Sequence, residues 1–104
     1  MRIAIIGDFE DKEKYVPMID NFVNDHKVSV PVILSAGGVS LIAAMDKYAK
    51  DKGYYSVILG NIPMLAVLNG DKLIFVWDGV NPKYADMITL AKQEKRPYID
   101  IRTA

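Results

Sequence analysis

Short apolar runs alternate along this chain with stretches whose apolar residues recur every three or four positions. The run RIAII (2–6) is rich in β-branched residues and stops at Gly7. YVPMIDNFVNDH then sets Tyr15, Met18, Ile19, Phe22 and Val23 at helical spacing. Proline is tolerated in a first helical turn, so Pro17 places the start of this helix near Lys14. VSVPVILS is the next strand, and Pro31 restricts full pairing to its later part. Ser40 is positioned to cap LIAAMDKYAK, where Leu41, Ala44, Met45 and Tyr48 form one face.

The alternation continues to the end of the chain. YYSVIL is a strand ending at Gly60, IPMLAVL has room for one or two helical turns, and KLIFVW is a strand ending at Asp78-Gly79. Asn81-Pro82 pairs a capping residue with a proline at the first helical position. The helix that follows should bury Tyr84, Met87, Ile88 and Ala91, and RPYIDI closes the chain as a fifth strand. Strand and helix alternate throughout, which predicts an α/β fold. It is a three-layer, Rossmann-like domain of about five parallel strands with helices on both faces. No linker, repeat or low-complexity segment divides the chain, so 1–104 reads as one domain.

Composition narrows the chemistry. Thirteen basic and thirteen acidic side chains cancel, which disfavours general nucleic-acid binding. There is no cysteine and His26 is the single histidine, so thiolate and multi-histidine metal sites are excluded and neither a metal nor a cofactor is expected. The opening apolar run is too short for a signal peptide, and no stretch reaches the ~20 apolar residues of a membrane helix. A cytoplasmic protein with no membrane partner is expected.

Parallel sheets of this kind bind ligands beyond the carboxyl ends of their strands. The candidate ligand-binding residues are therefore Gly7, Asp8, Phe9, Ser35, Gly37, Gly38, Val39, Ser40, Asn61, Asp78, Gly79 and Asn81, all just after a strand or at its end. The turn in VILSAGGVSL either cradles an anion on the amides of Gly37, Gly38 and Val39 at a helix N-terminus, or uses glycine only to make the turn. Neither standard phosphate-loop fingerprint is present. Asp8 can accept from a ribose hydroxyl or stabilise the start of the first helix. Phe9 can stack on a base or fold onto the core. Asp78 can hold ligand hydroxyls or cap its own turn. Trp77 reads as core, and His26 as a solvated helix end.

DKLIFVWDGVNPKYADMITLAKQEKRPYIDI resembles the SLOG superfamily of Rossmann-like domains, in particular small DUF2493-type bacterial and phage proteins. These are relatives of DNA-processing protein A and the lonely-guy phosphoribohydrolases. Asp71, Trp77, Asp78, Gly79, Leu90, Ala91 and Pro97 fall at the family's spacings. VILSAGGVSLIAAMDKYA is similar to its glycine loop, with Ser35, Gly37, Tyr48 and Ala49 in place. The resemblance implies nucleotides, nucleotide-sugar derivatives or nucleic acid as ligand classes, and self-association through helix faces.

Departures from the family pattern cut against catalysis and phosphate binding. The family's loop arginine and aspartate are Val39 and Ile42 here, and Asp8-Phe9 replaces its first-loop Ser-Arg. Related N-glycosidic enzymes carry a catalytic glutamate where this chain has Met87, which cannot act as a nucleophile. The expectation is a non-catalytic, homodimeric binder of a nucleotide-like small molecule with an eroded site, a phage-type or accessory protein that senses or sequesters its ligand. The alternatives are a protein-interaction domain that has lost the site, to which an exposed surface from Leu65, Val67 or Tyr84 would point, and a nucleotide N-glycosidase.

Overall fold

An apolar run can lie in the middle of a sheet only if helices cover both of its faces, and the chain supplies two helices for each. A computed structural model describes residues 1–103. Among them, strands and helices alternate as β1 (Arg2–Gly7), α1 (Lys12–His26), β2 (Val32–Gly37), α2 (Val39–Lys52), β3 (Tyr55–Ile58), α3 (Pro63–Asn69), β4 (Lys72–Trp77), α4 (Pro82–Gln93) and β5 (Tyr98–Arg102). The sheet runs β3-β2-β1-β4-β5, with every pairing parallel. This is the expected three-layer α/β arrangement. Strand order reverses between β1 and β4, which makes the gap beyond their carboxyl ends the natural ligand crevice.

Side-chain alternation sorts the strands onto two cores. Ile3, Ile5, Ile33, Ile74 and Val76 pack beneath α1 and α2 with Tyr15, Ile19, Leu41, Met45 and Tyr48. Ala4, Ile6, Leu34, Leu73, Phe75 and Trp77 face α3 and α4, where Val67, Tyr84 and Ile88 complete the layer. The entry of β1 is tied to the start of β4: the Asp71 carboxylate accepts from the Arg2 amide at 2.7 Å, and the Asp71 amide donates to the Arg2 carbonyl at 2.8 Å.

Three local expectations need correction. Helix α1 starts at Lys12, not near Lys14, because Asp11 caps it by accepting from the Lys14 amide at 3.2 Å. Pro17 thus lies inside the helix. It is exposed, so the carbonyl left without its usual donor can turn to water. Ser40 does not cap α2; the cap is Gly38, which makes no side-chain bond. Met18, expected in the core, is 42% exposed. Asn81 does cap α4, accepting from the Lys83 amide at 3.0 Å, with Pro82 first in the helix.

Candidate functional site

The crevice lies at the switch point, between the loop after β1 and the loop after β4. It has a volume of about 520 Å³, and Asp8, Phe9, Glu10, Asp11, Lys14, Tyr15, Trp77, Asp78, Asn81, Tyr84 and Thr103 line it. Four of the expected residues, Asp8, Phe9, Asp78 and Asn81, meet there. Gly7, Gly37, Gly38, Val39, Ser40, Asn61 and Gly79 are not among its lining residues, and neither is buried Ser35.

The glycine turn serves the fold. Gly7 and Gly37 end paired strands with φ of 135° and 128°, conformations that residues with a Cβ rarely adopt. A Cβ at Gly37 would sit 2.0 Å from the Gly7 carbonyl oxygen, and one at Gly7 would sit 1.8 Å from that of Val76. Two of the three amides of the expected anion cradle are already spent: the Gly37 amide donates to the Gly60 carbonyl and the Gly38 amide to the Gly7 carbonyl, both at 2.9 Å. Ser35 is 1% exposed on the α1/α2 side of β2, so its hydroxyl cannot reach a ligand, and its Oγ finds no partner among the described residues. Val39 and Ser40 are exposed in the first turn of α2.

Asp8 has a role that neither sequence reading anticipated. Asp11, not Asp8, caps α1. The Asp8 carboxylate instead rests on Gly38, the cap of α2, with its oxygens 2.1 and 2.3 Å from where a Cβ would stand. A carboxylate there is favoured by the helix dipole, and it occupies the approach an incoming anion would use. Its own amide donates to the Val76 carbonyl at 2.9 Å, which anchors the loop to β4.

Asp78 holds its turn. Its Oδ1 accepts from the amides of Asn81 and Val80 at 2.9 and 2.8 Å, and these bonds lower its pKa below the ordinary carboxylate value. Gly79 closes the turn, with the Arg102 guanidinium packed over it. Phe9 is 4% exposed and folds onto the core, its ring centroid 5.6 Å from that of Tyr15, so no base can stack on it. Asn61 accepts from Lys83 Nζ, which ties the loop after β3 to the start of α4.

Tyr84, expected in the core, also lines the crevice, and the exposed position that would have pointed to an interaction surface is not found. It is buried, and its hydroxyl donates to the Gly7 carbonyl at 3.1 Å. Burial raises its pKa, and the neighbouring charges of Asp8 and Asp78 raise it further. Lys14, Tyr15 and Thr103 also escaped the sequence reading. The rule that site residues directly follow strands does not reach Lys14 and Tyr15 in the first turn of α1, but it does reach Thr103, which directly follows β5 and whose amide donates to the Trp77 carbonyl at 2.8 Å.

Beside the crevice, Trp77 Nε1 donates to Asp100 Oδ1 at 2.6 Å and Arg102 chelates the same carboxylate. Arg102 also lies 4.8 Å from the Trp77 ring centroid. Burial acts to raise the Asp100 pKa, but the bonds from Arg102 and Trp77 outweigh it and hold the group low.

No protein-family model, curated protein or solved structure matches this chain. Chemistry at the site therefore has to be argued from its own residues. Carboxylates dominate: Asp8, Glu10, Asp11 and Asp78 line the crevice, against Lys14 as the one cation among the described lining residues. No group of acidic or histidine side chains among the described residues is arranged to hold a metal ion. None of the described helices is long and apolar enough to cross a membrane.

Proposed function

We propose that this chain is a non-catalytic binding domain for a small, hydroxyl-bearing ligand of the nucleoside or ribosyl class, neutral or cationic rather than phosphorylated. The observation that carries this reading is the charge of the crevice: four carboxylates and one lysine around about 520 Å³ at the sheet's switch point. That volume suits a small molecule. Carboxylates accept well from vicinal hydroxyls and repel phosphate. Two of the three amides expected to receive an anion, those of Gly37 and Gly38, are bonded within the chain, and Asp8 stands over the helix terminus.

Binding without turnover fits the groups present. Asp78 is committed through Oδ1 to its turn, and the Tyr84 proton to the Gly7 carbonyl with a raised pKa. Met87 stands half-buried at the position of the related enzymes' glutamate. A cytoplasmic setting, where nucleosides are plentiful, accords with the absence of cysteine.

Titration calorimetry with nucleosides and their 5′-monophosphates at low salt tests the reading. The expected result is nucleoside binding, with the monophosphate weaker by on the order of tenfold, about 1.4 kcal/mol. The gap should shrink in high salt and in Asp8→Asn. Tighter binding of the monophosphate would overturn it. Glycosidic cleavage of either compound, abolished by Asp78→Asn, would overturn the non-catalytic assignment.

A further inference from the structure

The two edges of the sheet are built differently. β5 carries Asp100 and Arg102, charged residues of the kind that deter edge-to-edge pairing. β3 reads YSVI, with no charge, no proline and three exposed apolar side chains. Its backbone polarity follows from one bond: the Leu59 amide donates inward to the Ser35 carbonyl at 2.8 Å. Residues in phase with Leu59, namely Tyr55 and Val57, therefore spend their backbone groups on β2, and Ser56 and Ile58 point theirs away from the sheet. Val57 pairs with Leu34, so Val57 and Tyr55 face the α3/α4 layer. On the opposite face Ser56 is bonded to Asp46 of α2 at 2.7 Å.

We propose that β3 is a self-association edge, at which a second copy of this chain pairs antiparallel about a two-fold axis through Val57. In that register Ser56 lies opposite Ile58 of the partner subunit, and Ile58 opposite Ser56 of the partner subunit. Both pairs present outward N–H and C=O groups to each other. Val57 faces Val57 of the partner subunit as a non-hydrogen-bonded pair, and the two sheets become one.

The surface flanking the edge has the extent this requires. Val30, Tyr55, Val57, Ile58, Ile62 and Leu65 are 57%, 69%, 40%, 53%, 52% and 38% exposed. At roughly 180 Å² for a large side chain, complete cover of all six on both copies would remove at most about 1,100 Å² from water. A specific interface should clear about 1,000 Å². A second copy fits better than an unrelated strand because the register pairs each outward group with its own symmetry mate and sets no like charges opposite each other. The proposal places association at an edge strand, where the resemblance implied helix faces. Of the three residues that were to mark an interaction surface, Leu65 is exposed, and Val67 and Tyr84 are buried.

The absence of native cysteine allows a direct test of register. Val57→Cys places two sulfurs across a pair whose Cα atoms stand about 4.5 Å apart, within disulfide range. Mild oxidation is expected to convert this variant almost fully to a covalent dimer but not to cross-link Val80→Cys, which lies in the turn after β4, three strand positions across the sheet from β3. By sedimentation equilibrium the wild-type chain should show twice its 11.6 kDa mass. Val57→Lys sets like charges face to face and should halve that mass with an unchanged circular dichroism spectrum. A monomeric wild-type chain overturns the proposal. So does a dimer that Val57→Lys leaves intact, or cross-linking of Val57→Cys no faster than of Val80→Cys.

Discussion

Replacing Gly37 with alanine separates a structural glycine from a ligand-binding one. At φ 128° the new residue occupies backbone space that costs about 1–3 kcal/mol for any side chain. Its Cβ also arrives 2.0 Å from the Gly7 carbonyl oxygen and 2.9 Å from the Tyr84 hydroxyl. The carbonyl belongs to the central strand and cannot rotate aside, so β1 and β2 must separate at their ends, an overpacking cost of about 1–3 kcal/mol. Together these come to about 4 kcal/mol, a large share of the ~5–15 kcal/mol that holds a domain folded.

Gly38→Ala is the control. Gly38 has an ordinary φ of −72°, and the nearest atoms its Cβ would meet are those of the carboxylate of exposed Asp8. The expected loss is about 1 kcal/mol, mostly the poorer helix cap, and Asp8→Ala in the same chain should recover part of it. Urea denaturation followed by the fluorescence of Trp77, the only tryptophan, measures both variants. If Gly37→Ala lost less than about 1 kcal/mol while abolishing nucleoside binding, the structural account of this turn would be refuted.

Ser35→Ala should be neutral or raise stability by about 1 kcal/mol, because a buried hydroxyl without a partner is removed; a loss of that size by urea denaturation would mean that the hydroxyl has a partner. Acid should weaken the domain through Asp78 and Asp100. Both have lowered pKa values in the folded state, so their contribution is fully present above the unfolded value near ~3.9 and is lost as pH falls through the lower folded value. Thermal melts from pH 6 downward should show that decline, and Asp100→Asn should flatten it.

The element order was legible because every strand and helix carries its own period. RIAII and KLIFVW read as doubly covered strands, and Asn81-Pro82 announced a helix by capping chemistry alone. The crevice was legible at Asp8, Phe9, Asp78 and Asn81. Whether an amide is free or already bonded depends on strands far apart in the chain, so the loss of the Gly37 and Gly38 donors to Gly60 and Gly7 could not be read locally. The same holds for Asp8. Its carboxylate follows β1, yet what it touches is the cap of α2, three elements later. Pro17 misled for the opposite reason: a local rule was applied where exposure of the helix face relieved it.

The strand order also has a consequence for how the chain comes together during synthesis. β1 is made first and ends in the centre of the sheet, where Ile3 pairs with Lys72 and Ile6 with Phe75. Until β4 emerges, β1 and β2 can pair and bury Ile3, Ile5 and Ile33 under the first two helices. Their other face, Ala4, Ile6, Leu34 and Ala36, has no cover before α3 arrives, and its layer is completed only by β4 and α4. Such long-range closure is slow relative to local structure. A ribosome-bound half-sheet of this kind is a sticky intermediate, and truncation before Lys72 should yield a species held by chaperones rather than a smaller stable domain.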